Sequence, residues 1–257
     1  MAERVFIPVW PDLPAHIGVL STLRKGGVSL SPFDDGSGAG GFNLASHVGD
    51  RVEHVLKNRT LLAQFLPTIP QWMEQVHGTH VVDLGVADRP LSADACIASR
   101  ANVVCAVQTA DCLPVLLCDA KSNVVGAAHA GWRGLVNGVL ENTLAMMQSS
   151  GADLDSVSVW LGPAIGPTQF EVGAEVRKQF VDFDPCALAA FRASDIRPDK
   201  FYADIYQLAR QRLQRAGVHS IHGGGFCTVT EPEKFYSYRR DGVTGRMASL
   251  IWIKDHS

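Results

Sequence analysis

Residues 102–108, 114–118 and 124–129 form three apolar runs in close succession, with VVCAV at the heart of the first. Runs this short, this apolar and bounded by polar loops read as strands buried on both faces. The first run leads into Thr109-Ala110-Asp111-Cys112. The second ends at Asp119, and the polar turn Lys121-Ser122-Asn123 leads into the third, so these two read as a hairpin. The third closes on His129-Ala130-Gly131-Trp132-Arg133-Gly134. From there Leu135, Val139, Leu140, Leu144 and Met147 recur at helical spacing, and the helix closes near Gly151.

The same alternation runs through the rest of the chain. Residues 48–66 carry helical spacing (Val52, Val55, Leu56, Leu62, Phe65) and stop at Pro67. Residues 157–161 read as a strand, 162–167 as a rigid loop and 172–181 as a helix. A helix from about 204 to 216 precedes His219-Ser220-Ile221, and 247–253 is a final strand. Strands alternating with helices predict an α/β/α sandwich on a mixed β-sheet. At 257 residues the chain is near the upper limit for one core, which predicts one domain over 1–257. The loose stretch 29–41, rich in glycine, reads as a mobile loop too short to be a linker. No G-x-G-x-x-G lies between a strand and a helix, and no Walker A motif is present.

A net charge of −3, with no block of Lys and Arg, argues against nucleic acid or a membrane surface as the main partner. The first residues lack the basic-then-apolar pattern of a signal peptide, and no apolar run approaches the roughly 20 residues that span a bilayer. The six cysteines contain no CxxC pair and read as reduced thiols. A cytoplasmic location is expected.

Three side chains carry the chemical signal. Cys112 sits in a loop between two apolar runs, where its thiol can be reached, unlike Cys105 or Cys118 inside them. His129 terminates a strand ahead of two glycines, and functional groups in α/β sheets gather beyond strand ends. In Gln75-Val76-His77-Gly78-Thr79-His80, an extended chain places His77 and His80 on opposite sides, so one of them faces a site. Gly78 favours His77 modestly. Each signal is weak alone, and the wide spacing is not that of a zinc finger. Two imidazoles and a thiolate nevertheless suit zinc, with the fourth position open.

The chain also resembles the YfiH-like laccase-domain ("polyphenol oxidase") proteins almost end to end. The carriers are Arg24 with Gly26-Gly27-Val28-Ser29, Phe42-Asn43-Leu44 with His47-Val48-Gly49-Asp50, and Gln75-Val76-His77-Gly78. Further on come Thr109-Ala110-Asp111-Cys112, Ala128-His129-Ala130-Gly131-Trp132-Arg133-Gly134, Leu161-Gly162-Pro163-Ala164-Ile165-Gly166 and Phe170-Glu171-Val172-Gly173. The series ends with Phe235-Tyr236-Ser237-Tyr238-Arg239-Arg240-Asp241-Gly242 and Thr244-Gly245-Arg246. The resemblance implies a fold akin to the catalytic domain of cytotoxic necrotizing factor. It also implies zinc held by His77, Cys112 and His129, and it is what decides for His77 over His80.

The resemblance further implies phosphorolysis of purine nucleosides (adenosine, inosine, guanosine or methylthioadenosine) by phosphate, with adenosine deamination as a second activity. Arg133, at the start of a helix, is then a phosphate candidate, joined by Arg24, Arg239 and Arg240. Cys112 lies at the reacting centre, with Asp111 and Glu171 as candidate proton-transfer groups. Asn43 and His47 are placed to hydrogen-bond a base or ribose, and Phe170 or Tyr236 to stack on a purine. A monomer is compatible with all of this.

Three other readings compete. Multicopper oxidation needs more histidines than the nine present, none in a His-x-His pair. Copper can still displace zinc in vitro on affinity alone. A metal-free Cys112–His129 hydrolase would act on an amide or thioester. A non-catalytic protein with structural zinc would need a fourth ligand such as His80 or His47.

Overall fold

The three apolar runs are the strands Val104–Thr109, Leu113–Asp119 and Val124–Ala130, buried along their whole length. A computed structural model describes residues 3–86, 92–119 and 121–255. Leu113–Asp119 and Val124–Ala130 pair as the expected antiparallel hairpin, with Pro114 opposite His129. They form the centre of a six-stranded mixed sheet. Val157–Leu161 and then Ser220–Gly223 flank the hairpin on one side, and Ala95–Ala98 and then Val81–Asp83 on the other.

The mixed α/β reading holds, and the strands divide between two stacked sheets and a separate three-stranded one ordered Glu171–Gly173, Lys200–Ala203, Phe191–Ala193. Val104–Thr109 leaves its neighbours in sequence and joins a four-stranded sheet ordered Val5–Phe6, Ile17–Thr22, Met247–Ile253, Val104–Thr109. The two stacked sheets share an apolar layer. Val19, Cys105, Val107 and Ile251 meet Cys96, Leu116, Val125, Ala127 and Trp160 within it. Helices cover the outer faces. Val139–Ser149 and Ile205–Arg215 pack on the six-stranded sheet through Leu140, Leu144, Leu208 and Leu213. Val52–Ala63 reaches the four-stranded sheet through Leu62, which joins Leu20, Leu250 and Trp252. Strands covered on both faces show no polar alternation, which is why the sequence could not say which sheet each one joins.

Two boundaries differ from expectation. The single helix expected after His129 is two, Trp132–Asn137 and Val139–Ser149, broken at Gly138 with φ of 100°. Only glycine takes that conformation at little cost, and the apolar spacing runs straight across the break. The helix expected over 172–181 begins with the strand Glu171–Gly173, which pairs with Lys200–Ala203. The helix itself is Ala174–Phe183. The loop 29–41 is pinned: the Asp35 carboxylate accepts from the N–H groups of Ser37 and Ala39, and Gly27 N–H donates to the Gly40 carbonyl.

All six cysteines are unpaired. Among the described residues no helix is long and apolar enough to cross a membrane.

Candidate functional site

The hairpin sets the first two ligands. Its open end carries Cys112 just before Leu113, and His129 faces Pro114 across the ladder. Positions 112 and 114 share a side of the strand direction, so Cys112 falls diagonally beside His129. His77 arrives from a separate segment whose backbone is left-handed at φ of 60°. The ligating atoms of His77, Cys112 and His129 all lie within 4.8 Å of one another. The Cys112 Sγ is 3.8 Å from His77 Nε2, and the two imidazole rings meet edge to face at 4.8 Å between centroids.

Gly131 closes the bottom of this cradle. A Cβ there would stand 3.0 Å from both the Cys112 Sγ and His77 Cδ2, and 3.6 Å from His129 Nε2. The space between the three donors therefore exists because residue 131 has no side chain. One soft thiolate and two imidazoles at these separations suit a tetrahedral ion such as zinc with one open position. Among the described residues this is the one group of His, Cys and acidic side chains close enough to hold a metal. Neither His47 nor His80 joins it, so the donor set is three.

Asp94 organises two of the three ligands, and sequence reasoning passed over it. Fully buried, its carboxylate accepts from the backbone N–H groups of Val76 (3.2 Å), His77 (2.9 Å) and Gly78 (2.6 Å). It also lies 2.8 Å from His129 Nδ1. Burial alone would raise its pKa, but these hydrogen bonds and the His129 charge outweigh burial and lower it. An acid flanked by Ala93 and by Ala95-Cys96-Ile97-Ala98 was the available signal, since a charge in such surroundings needs partners.

The thiol and imidazole act on each other. Burial pushes the Cys112 thiol up, but the neighbouring His129 charge and the hydrogen bonds of both histidines bring it down to about 6. Burial likewise pulls His129 down, yet the Cys112 charge and Asp94 raise it to about 9. Each group thus favours the charged form of the other, thiolate beside imidazolium, and a metal held here would displace the imidazolium's Nε2 proton while Nδ1 keeps its own.

The cluster opens on a cavity of about 550 Å³. His47, Asp111, Arg133, Phe170 and Arg239 line it. So do Gln75, Gln108, Thr109, Trp132, Tyr238 and Arg246, to which no role was attached. Arg246 directly precedes the strand Met247–Ile253, whose Met247 pairs with Thr109, and this register brings it to the site. Partial desolvation lowers the His47 pKa and the nearby Arg246 and Arg59 charges lower it further. The Arg133 guanidinium lies over the Trp132 ring at 4.5 Å, and that of Arg239 over Phe170 at 5.8 Å.

Other expected contacts are corrected. Arg24 is buried and donates to the carbonyls of Pro232 and Asp34 while lying over the Tyr236 ring. Tyr236 is itself fully buried, its hydroxyl donating to the Phe33 carbonyl. The Asn43 amide is used up on Ala45, Asp50 and Arg246 N–H. Arg240 donates to the carbonyls of Thr228, Val229 and Phe235 and pairs with Asp241. None of these four lines the cavity. Glu171 lies outside the lining, paired with Arg197 at 2.7 Å. Asp111 lines the cavity, but one carboxylate oxygen accepts from the Thr228 hydroxyl and the other from Arg239 N–H, each at 2.6 Å. Each oxygen keeps a second lone pair, so these bonds do not by themselves bar Asp111 from proton transfer.

The chain as a whole is similar to known proteins. The family model described as "Multi-copper polyphenol oxidoreductase laccase" matches residues 18–254. The chain is 50% identical over 254 residues to a Shigella flexneri protein named purine nucleoside phosphorylase YfiH, covering 98% of this chain and 99% of that one. It is 49% identical over 248 residues to purine nucleoside phosphorylase PA4543 of Pseudomonas aeruginosa, covering 96% and 98%. Among solved structures, Neisseria meningitidis protein NMB0706 superposes with a TM-score of 0.88 at 44% identity, covering 98% of this chain and 100% of that one. The YfiH protein of Bacillus licheniformis gives 0.84 at 29% identity, covering 93% of each.

Proposed function

The chain belongs to this laccase-like family, and on that premise we propose that it is a zinc-dependent purine nucleoside phosphorylase. Its substrates are adenosine, inosine, guanosine or methylthioadenosine with inorganic phosphate, and adenosine deamination is a second activity of the same site. The observation that carries this reading is the joining of one three-donor metal cradle to a cavity lined by three arginines and three aromatic side chains. The names of the relatives agree with it.

Phosphorolysis forms a bond from a phosphate oxygen to C1′ of the ribose and breaks the bond from C1′ to the purine nitrogen. The electron pair goes to the base, which then takes a proton. The site must therefore hold a multiply charged anion and disperse charge on the leaving purine. Arg133, Arg239 and Arg246 supply guanidinium groups for the anion. His47 offers a ring nitrogen to the base or ribose, and Phe170 and Tyr238 offer aromatic faces. A bound zinc ion would add Lewis acidity toward a substrate oxygen or water.

The test is to incubate the zinc-replete protein with adenosine, with and without phosphate, and to separate the products. Adenine and ribose 1-phosphate appearing only with phosphate supports phosphorolysis, and inosine formed without phosphate marks the deaminase activity. Formation of neither product would contradict the proposal.

One observation favours a second reading, a metal-free hydrolase. Cys112, His129 and Asp94 stand in the order nucleophile, base and orienting carboxylate, with the thiol lowered to about 6. Turnover of an amide or thioester that survives chelation would support it. For copper oxidation, a multicopper centre needs several ligand groups, and among the described residues one is found. Cytoplasmic action on nucleosides, without nucleic acid or membrane, completes the proposal.

A further inference from the structure

We propose that Asp94 is a positioning residue for the metal centre: its one carboxylate sets both histidine ligands at once. The inference rests on the metal-holding role of His77, Cys112 and His129 given above.

The geometry has two parts. First, an imidazole can be protonated on either nitrogen, and only the unprotonated one can ligate. Asp94 Oδ1 lies 2.8 Å from His129 Nδ1, and an ionised carboxylate there can only accept. The proton is therefore kept on Nδ1, and the Nε2 lone pair is presented to the cradle, where Gly131 leaves room for it.

Second, His77 is exposed and sits in a left-handed backbone conformation that a residue with a Cβ adopts at a cost. That conformation turns three successive N–H groups, those of Val76, His77 and Gly78, onto the same carboxylate. Consecutive amides wrapped around an anion form a nest, and the charge holds the loop in a shape it would not otherwise keep. The backbone reinforces the link, since His129 N–H donates to the Asp94 carbonyl at 2.7 Å and Asp94 N–H donates to the His80 carbonyl at 3.1 Å. The histidine from the loop and the histidine from the hairpin are thus referred to one buried point.

Asp94→Asn keeps the shape but puts an NH2 group where an acceptor is required. Zinc affinity of the full chain is to be measured by competition with a chromophoric chelator for wild type, D94N and D119N. The last is a control, because Asp119 is an equally buried acid distant from the cradle in the fold. D94N is expected to bind zinc about 10- to 100-fold more weakly. Its cobalt-loaded form should show altered visible bands, while D119N keeps the wild-type affinity and bands. A folded D94N with wild-type affinity, or a D119N weakened as much, overturns the role.

Should D94N fail to fold, nitrogen-15 NMR of zinc-loaded wild type decides. His129 protonated on Nδ1 with zinc on Nε2 supports the role, and the reverse overturns it. A wild-type chain that takes up no zinc overturns the metal reading itself, whereas equal binding by wild type and D94N overturns only the positioning role.

Discussion

Asp94 and Asp119 lie at different ends of the same six-stranded sheet, and both are fully buried. Each accepts four hydrogen bonds. Those of Asp94 come from Val76, His77, Gly78 and His129, and those of Asp119 from Lys121, Ser122, Asp153 and Ser156. Both carboxyls are held below the ordinary 3.8, because hydrogen bonds outweigh the burial that opposes them. The chemistry is the same and the result differs. Asp119 ties the hairpin turn to the segment before Val157–Leu161 and so fastens the fold. Asp94 ties a strained loop to a strand end and so fastens two ligands. A buried anion is a general device for fixing backbone, and what it accomplishes depends on which side chains ride on the segments it holds.

The largest effect that would sharpen this contrast comes from filling the cradle. Gly131→Ala places a methyl 3.0 Å from two of the ligand residues. Turnover with zinc is expected to fall about 100-fold, as for a displaced reacting group. The melting temperature should move little. Nucleoside assays beside a thermal melt check both, and an unchanged rate would show that the cradle does not serve the reaction.

Next, Asp119→Asn should cost about 2–4 kcal/mol in a denaturant titration, since buried donors lose their anionic acceptor. Zinc binding should be untouched, and a loss of binding would break the distinction between the two acids. The pH dependence follows from the sign of the shift. The native Asp119 carboxyl ionises below its ordinary 3.8, so its stabilisation is complete above that value and is lost as pH falls through the lower native value. Wild type should lose unfolding free energy more steeply than D119N below about pH 4.

The smallest effect is at the cavity rim. Arg133 is exposed and touches the Trp132 ring. Arg133→Met should raise the KM for phosphate about tenfold, the loss of one hydrogen bond to a charged group, without changing stability. An unchanged KM would remove Arg133 from the anion site.

Much of the frame was legible because local signals agreed with it. The hairpin announced itself by two apolar runs around Lys121-Ser122-Asn123, and the helix expected over about 204–216 is Ile205–Arg215, with the Asp204 side chain accepting from Gln207 N–H. Cys112, His129 and His77 were marked by a reachable thiol, a strand end and a Gly neighbour, although choosing His77 over His80 needed the family resemblance. Long-range pairing was not legible. Arg24, Asn43, Tyr236 and Arg240 look like ligand contacts in sequence, yet their partners include carbonyls and amides as far as 208 residues away, as for Arg24 and Pro232. Arg246 reached the cavity through the register of Met247 against Thr109, which no local pattern encodes. Asp94 was hidden for the same reason, since the four donors that justify its burial come from segments 16 to 35 residues distant.

X-ray absorption at the zinc edge of the loaded protein tests the central claim most directly. The account predicts one sulfur at about 2.3 Å and two imidazole nitrogens at about 2.0–2.1 Å, with a further light atom in the open position. A zinc shell without sulfur would contradict it.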